Sequence, residues 1–493
     1  MRSEGAILAF DFGASSGRCI AGRLGEDSLE VETVHRFANR PVNLNGRFQW
    51  DILGLYREIL EGLIIFRRDY QDPILSLAVD TWGVDYGLVG RDGRLISNPY
   101  HYRDSRNDGI PEKLFAVVGE DELYAAGGIQ MMSINTVFQL FAEREENREL
   151  FESARAIAMT PDLLNYFLTG NLRSELSIAS TTALVDPRVR DWNRELIAKL
   201  GYPAHLFTPI IKPGEEVGRI TLDVEAFTGL SGTRVLATTS HDTQSAIAAV
   251  PADTDDFIYL SSGTWSLMGV EADEPVLTPR AAELGFTNEI GAGGKISLLS
   301  NIMGLWLIQE CKRIWDREGR NFDYGEIVEM AEQAKPFTTL INPMDSRFTA
   351  PKSMPEEIRQ AAAETGQPVP QSEAELARTV FESLALVYRR TVERIQELTG
   401  KEYPVVHIVG GGVNNKLLCR MTSEATGLPV VAGPTEATAL GSIVVQAAGQ
   451  GLIPGIAAGR RLVAASVNPD RYQPGARPGW DEAYRRFTRL YPA

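Results

Sequence analysis

An apolar run, Ala6-Ile-Leu-Ala-Phe10, opens the chain and ends on Asp11-Phe-Gly13. A short continuous apolar stretch bounded by turn formers predicts a buried strand. Cys19–Arg23 and Leu29–Arg36 predict two further strands, so the N-terminus forms a meander with a small-residue turn after its first strand. The period then changes. Ile52, Leu55, Tyr56, Ile59, Leu60 and Leu63 recur at helical spacing and predict a helix over Asp51–Tyr70, with Asp51 as N-cap. Ile74–Val79 predicts another strand. Residues 121–200 predict mainly helix, including Thr160–Gly170 with Pro in its first turn and Gly after its end. Pro209, Pro213, Gly214 and Gly218 mark 204–219 as a connector.

A strand from Val235 leads through Ser240-His-Asp-Thr243 into a small-residue helix that stops at Pro251. The opening plan then recurs. Phe257–Leu260 predicts a strand, Ser261–Thr264 a turn and Trp265–Val270 a strand. Met303–Ile308 starts an apolar helix, and 337–370 predicts loop with a short helix. Ser372-x-x-Glu375 is a capping box for a long helix that Gly400 stops. Val405–Val409, the turn Gly410–Gly412 and a helix over Asn414–Thr426 follow. Another strand (Leu428–Ala432), another helix (Thr438–Gly449) and an amphipathic tail (Trp480–Tyr491) complete the pattern. One strand–turn–strand unit per half predicts a duplicated α/β fold, divided as 1–245 and 246–493, with a cleft between the copies and Asp242 at the junction.

Composition narrows the partners. The 493 residues suit two or three domains, and hydrophobic and charged contents of 44% and 23% are those of ordinary globular protein. A net charge of −16 argues against a nucleic-acid or anionic-membrane partner. Cys19, Cys311 and Cys419 are too scattered for a disulfide framework or structural zinc. Asp11 interrupts the first apolar run too early for a signal peptide, and no run spans a bilayer, so cytoplasm is expected.

Several stretches carry candidate chemistry. In Ala14-Ser15-Ser16-Gly17-Arg18 small residues, hydroxyls and one cation suit a phosphate, although a Gly/Ser turn alone has the same composition. Asp80-Thr-Trp-Gly83-Val-Asp-Tyr-Gly87 offers an indole face and carboxylates to a sugar, or is a hairpin with a core Trp. Asp242, before a helix, can accept a hydroxyl proton or cap that helix; the stretch by itself favours the cap. Asn301 and Gln309 share a helical face, or are an N-cap and a solvated side chain. Other motifs fail. Gly291-Ala-Gly-Gly-Lys295 is followed by Ile296, not the Ser or Thr of a P-loop, and reads as a turn. Asn415 stands where the dinucleotide fingerprint of Gly410–Gly412 needs a small residue.

Six blocks together resemble the FGGY family of carbohydrate kinases: Asp11–Arg18, Asp80–Gly87, Ser240–Thr243, Ser261-Ser-Gly-Thr-Trp-Ser-Leu267, Asn301-Ile-Met-Gly-Leu-Trp306 and Val409–Gly412. The resemblance runs from Ala6 to about Gly451, with Phe138 a conservative departure from an expected Tyr. It implies two ribonuclease-H-like, actin-like ATPase domains. It also implies ATP-dependent phosphorylation of a small-molecule ketose, L-rhamnulose, at its 1-hydroxyl, with L-fuculose or L-xylulose as alternative substrates. A non-catalytic sugar sensor and a chaperone-like ATPase are the rival classes. Carried over by position, Ala14, Ser15, Ser16, Gly17 and Arg18 border the ATP phosphates, and Thr264, Gln309 and Gly411 complete the nucleotide site. Gly83, His241, Asp242, Thr243 and Asn301 bind sugar. Asp242 is the proton acceptor, kept ionised by the helix N-terminus, and Asp11 helps to place Mg²⁺. No nucleic acid or membrane is implied, and a monomer or weak homo-oligomer is expected.

Overall fold

The apolar run Ala6–Phe12 has no polar alternation because both of its faces are covered; every residue in it is buried. In the computed structural model, which describes residues 5–475 and 478–492, this strand pairs antiparallel with Ser16–Leu24, which pairs with Leu29–Ala38. On its other side Ile74–Thr81 runs parallel, with Asp11 opposite Asp80. Arg234–Leu236 lies parallel beyond that, Val235 facing Leu77, and Glu216–Arg219 completes a six-stranded mixed sheet. Helix Ile52–Asp69 packs Ile52, Leu55, Ile59, Leu63 and Phe66 into the core that holds Phe10 and Phe12. The Asp51 carboxylate caps it by accepting from Gly54 N.

Two segments hold more strand than their composition predicts. Ala154–Met159, inside the stretch expected to be mainly helical, pairs antiparallel with Tyr86–Gly90. Its alternating alanines favour helix locally, but tertiary pairing decides. Glu216–Arg219, inside the expected connector, is an edge strand.

The chain forms two compact units. The first runs to Asp253 and adds Glu271–Leu298 and Ala437–Ser466; the second holds Thr254–Val270, Leu299–Glu436 and the stretch from Val467 onward. Within the second, Ile258–Ser262 forms a hairpin with Trp265–Ala272 and lies parallel to Val406–Val409, which lies parallel to Val430–Ala432. A hairpin whose first strand has a parallel partner on its far side thus occurs in both units. Helix Glu373–Thr399 starts on the capping box of Ser372 and Glu375 and ends on left-handed Gly400, as the sequence predicts.

Helix Ala437–Gly449 anchors the first unit's sheet although it lies late in the chain. Its Gln446, fully buried, accepts from Ser76 Oγ at 2.7 Å and donates to Leu8 O at 3.1 Å. Gly441 lets this helix touch Asp242–Ala248: a Cβ there would lie 1.7 Å from Ser245 O. Gly441→Ala therefore has to push the two helices apart. It is expected to lower stability by about 1–3 kcal/mol, read as a lower urea midpoint at unchanged m-value.

Candidate active site

The first unit gathers acidic side chains where its strands end. Asp11 and Asp80 are register partners near the carboxyl ends of adjacent parallel strands. Thr81 N continues the pairing by donating to Ser240 O at 2.9 Å, and Thr81 bridges His241 in parallel. The next residue, Asp242, begins helix Asp242–Ala248. This sheet edge is where open α/β folds bind their ligands.

Each carboxyl has a different fate. Asp11, buried, holds Arg18 across the hairpin: Arg18 Nε and an Nη reach its Oδ2 at 2.9 and 2.7 Å. Asp80 is fully buried and neither of its oxygens has a hydrogen-bond partner within normal geometry. Burial first, then the charges of Asp11 and Asp242, raise it well above the usual carboxylate range; Arg18 and the Ser442 hydroxyl oppose them weakly. Asp242 keeps 29% of its side chain accessible. Its role as cap is excluded by position, because His241 occupies the N-cap with no side-chain cap bond, while Asp242 Oδ1 accepts from the Thr243 hydroxyl at 3.2 Å. Burial beneath surrounding protein pushes Asp242 up to about 6, against the opposing charge of His241. The helix terminus thus does not hold it at an ordinary value. It is still mostly ionised at neutral pH.

The turn after the first strand is shaped by a residue outside the motif. Gly13 N donates to Ser16 O at 2.9 Å, and buried Asn39 braces the turn with its Nδ2 on Gly13 O (2.9 Å) and its N on Ser15 O (3.0 Å). Ala14, Ser15 and Ser16 are exposed at the tip. Gly17 has a packing reason: a Cβ would lie 2.3 Å from the Phe37 ring. Arg18, expected as a phosphate-facing charge, has its guanidinium on Asp11.

His241 sits against Gly83, where a Cβ would come within 3.3 Å of its Nε2. Its Nδ1 lies 2.8 Å from Glu289 Oε2, and its Nε2 lies 3.6 Å from Asp242 Oδ1. Burial opposes its charge most strongly of any single cause, but Glu289, Asp242 and Glu175 together outweigh burial, so His241 rises to about 9. Beneath it, Glu175 is fully buried and accepts from Ser177 N, Ser177 Oγ, Ile178 N and Ser240 N. That fixes the backbone entering His241. Val84 holds φ 66, a strained value for a β-branched residue. Its peptide groups are pinned by the Thr181 and Thr136 hydroxyls and by Gln139.

Trp82 and Asp85 follow the structural of their two readings. Trp82 is buried in the core and its ring lies 3.9 Å from that of Trp50. Asp85, fully buried, accepts from Trp50 Nε1 (2.6 Å), Trp82 Nε1 (2.9 Å) and Gln139 Nε2 (2.9 Å), so its oxygens serve the aromatic wall and not a sugar.

In the second unit Gly263 N donates to Trp265 O at 2.8 Å, making the tight turn of the second hairpin. The Thr264 hydroxyl donates to Gln309 Oε1 at 3.2 Å, joining two of the expected nucleotide residues. Gly410 and Gly412 are needed for contact with this hairpin: Cβ atoms there would lie 3.1 Å from Ser262 O and 2.0 Å from Ser262 Oγ. Gly411 between them is exposed and has open space above it. Asn301 lies on strand Ile296–Met303, and the helix that follows, Trp306–Arg317, begins after it, so Asn301 is not an N-cap.

The fold is shared by solved sugar and polyol kinases. A gluconate kinase from Lactobacillus acidophilus superposes with TM-score 0.81 over 99% of this chain and 96% of its own, at 15% identity. A Plasmodium falciparum glycerol kinase with ADP gives 0.78 over 99% and 96%, also at 15%. Residues 6–249 match the N-terminal domain, and residues 258–449 the C-terminal domain, of the FGGY family of carbohydrate kinases. The chain is 42% identical to a rhamnulokinase of Bacteroides thetaiotaomicron over 98% of both chains. It is 39% identical to one of Pectobacterium carotovorum, over 98% of this chain and 96% of the other. The chain belongs to the FGGY family of carbohydrate kinases.

Replacing Asp85 tests the aromatic wall. Asp85→Asn is expected to lose on the order of 1–3 kcal/mol of stability, read by urea unfolding through Trp fluorescence. Burial, opposed by donors from Gln139, Trp50 and Trp82, raises Asp85 from 3.8 to about 6. The native state therefore holds its proton more tightly than the unfolded chain. Its contribution to stability is full below pH 3.8 and declines as pH rises through about 6. The same decline should be missing from the Asn variant.

Proposed function

We propose that this kinase transfers the γ-phosphoryl group of ATP to the 1-hydroxyl of L-rhamnulose, with Asp242 as the general base. The observation that carries this reading is the Asp242 carboxylate itself. It is partly accessible, serves no cap, and sits at the sheet edge beside the Asp11–Arg18 hairpin. The rhamnulokinases it resembles over nearly their whole length supply the substrate.

Phosphoryl transfer asks the protein mainly for alignment and charge neutralisation. Ala14, Ser15, Ser16, Gly17 and Arg18 contact the phosphates through peptide N–H, hydroxyl and guanidinium donors. Thr264, Gln309 and Gly411 contact the nucleotide. Gly83, His241, Thr243 and Asn301 hold the ketose. The sugar oxygen bonds to the γ-phosphorus as the bond to the bridging oxygen breaks, and Asp242 takes the hydroxyl proton. Mg²⁺, when bound, would neutralise phosphate charge, and Asp11 would help to place it. The buried Asp80 carboxyl alongside is raised by burial and by the charges of Asp11 and Asp242, and a nearby cation would favour its ionised form. Among the described residues no three His, Cys, Asp or Glu side chains cluster as a metal cage.

Among the described residues no helix is long and apolar enough to cross a membrane. We place the enzyme in the cytoplasm, as a monomer or weak homo-oligomer, with no nucleic-acid partner.

ADP release measured against a ketose panel tests the reading. Release with L-rhamnulose well above L-fuculose and L-xylulose is expected; sugar-independent release makes the protein an ATPase of another kind, and none at all makes it a sensor. Asp242→Asn should lose on the order of 10² to 10⁴ in kcat while ATP binding persists; equal loss of ATP binding would give Asp242 a structural role. The value of about 6 for Asp242 sets the acid limb of kcat/KM. Activity should fall about tenfold per pH unit below that limb, because only the ionised base accepts a proton. A flat profile down to pH 5 would contradict the assignment.

A further inference from the structure

We propose that Glu289 is a positioning residue for the ketose: it fixes the His241 ring so that Nε2–H faces the sugar beside Asp242. The inference rests on the sugar-kinase reading above and adds to it a residue that none of the sequence motifs contains.

Four observations support it. Glu289, on strand Phe286–Ile290, is buried, and its Oε2 lies 2.8 Å from His241 Nδ1. The same oxygen accepts from Gln244 Nε2 at 2.8 Å, and Gln244 Oε1 in turn accepts from Ser297 Oγ at 2.7 Å. Glu289 Oε2 is thus itself held by a hydrogen-bonded relay through Gln244 to Ser297. Gly291 leaves room for that relay, since a Cβ there would lie 2.7 Å from Gln244 Oε1. A carboxylate on Nδ1 requires the proton on that nitrogen and fixes which way the ring faces. The charges facing His241 are Glu289, Asp242 and Glu175, and all three favour the imidazolium. Nε2 then also carries a hydrogen and is a charge-assisted donor beside Gly83 and the partly accessible Asp242. A ketose oxygen is the acceptor such a donor suits. A neutral ring, by contrast, could present an acceptor there and compete with Asp242 for the hydroxyl proton.

Sequence reasoning had no means of finding Glu289, because Thr287-Asn-Glu-Ile290 carries no local signature and joins His241 only through the fold.

The test pairs kinetics with histidine NMR on the full chain. Glu289→Gln keeps the side chain's shape and removes its charge. It is expected to raise the ketose KM by about ten- to a hundredfold, the size of a lost charge-assisted hydrogen bond, with the ATP KM unchanged. Glu289→Asp should recover part of that loss. The chain has five histidines, so ¹⁵N-histidine spectra with His241→Gln for assignment isolate the ring. Wild type at pH 7 should show both His241 nitrogens protonated, and Glu289→Gln a neutral ring. An unchanged ketose KM in Glu289→Gln, or ATP and ketose KM rising together, overturns the proposal. If that variant does not fold, a neutral His241 in wild type overturns it. The spectrum needs no turnover, so a wild type inactive on every ketose refutes the kinase reading and leaves His241 to decide this one.

Discussion

Carboxyl groups crowded at one sheet edge repel, and the first unit is arranged around that repulsion. The parallel register that seats Asp11 opposite Asp80 also carries the pairing on to Ser240 and His241, and so to Asp242. Three ionised carboxylates packed into protein would not be tolerated. Arg18 neutralises Asp11. Asp80, sealed from solvent, is driven toward its protonated form. The charge that remains is on Asp242, the member with an open side. Asp242 is thus the carboxylate of this cluster that keeps both its charge and access to solvent.

The surrounding fold keeps that carboxylate in place. Helix Asp242–Ala248 is clamped by the glycine contact with Ala437–Gly449, and its entry is nailed down by the buried Glu175. Asp85 locks two indoles into the wall that follows Gly83, while Val84 holds its strained conformation through neighbouring hydroxyl and amide groups. Rigid support of this kind costs local stability and fixes geometry, which is the exchange expected at a site that aligns substrates and contributes little covalent chemistry.

Much of this was legible in the amino-acid sequence. The buried first strand, the Asp51 cap, the Ser372 capping box and the repeated hairpin all follow from periodicity and local turn chemistry, and the motif blocks pointed to the family. What stayed hidden depends on long-range contact. Ala154–Met159 looks helical until Tyr86–Gly90 pairs with it. Gly17 has a packing partner, the Phe37 ring, that its own motif does not reveal. Asn39, Glu175 and Glu289 act on the site from distant segments and leave no spacing to detect. The environment of Asp242 also escaped, because a helix N-terminus argues for an ordinary carboxylate while the depth of the surrounding protein raises it.

The most direct test of the central claim is the position of the new phosphate. Carbon–phosphorus coupling in the NMR spectrum of the sugar product, after incubation with ATP, Mg²⁺ and ¹³C-labelled L-rhamnulose, reports the oxygen that was phosphorylated. Coupling of phosphorus to C1 is the predicted result. Phosphate on another carbon, or inorganic phosphate with the sugar untouched, would contradict the account.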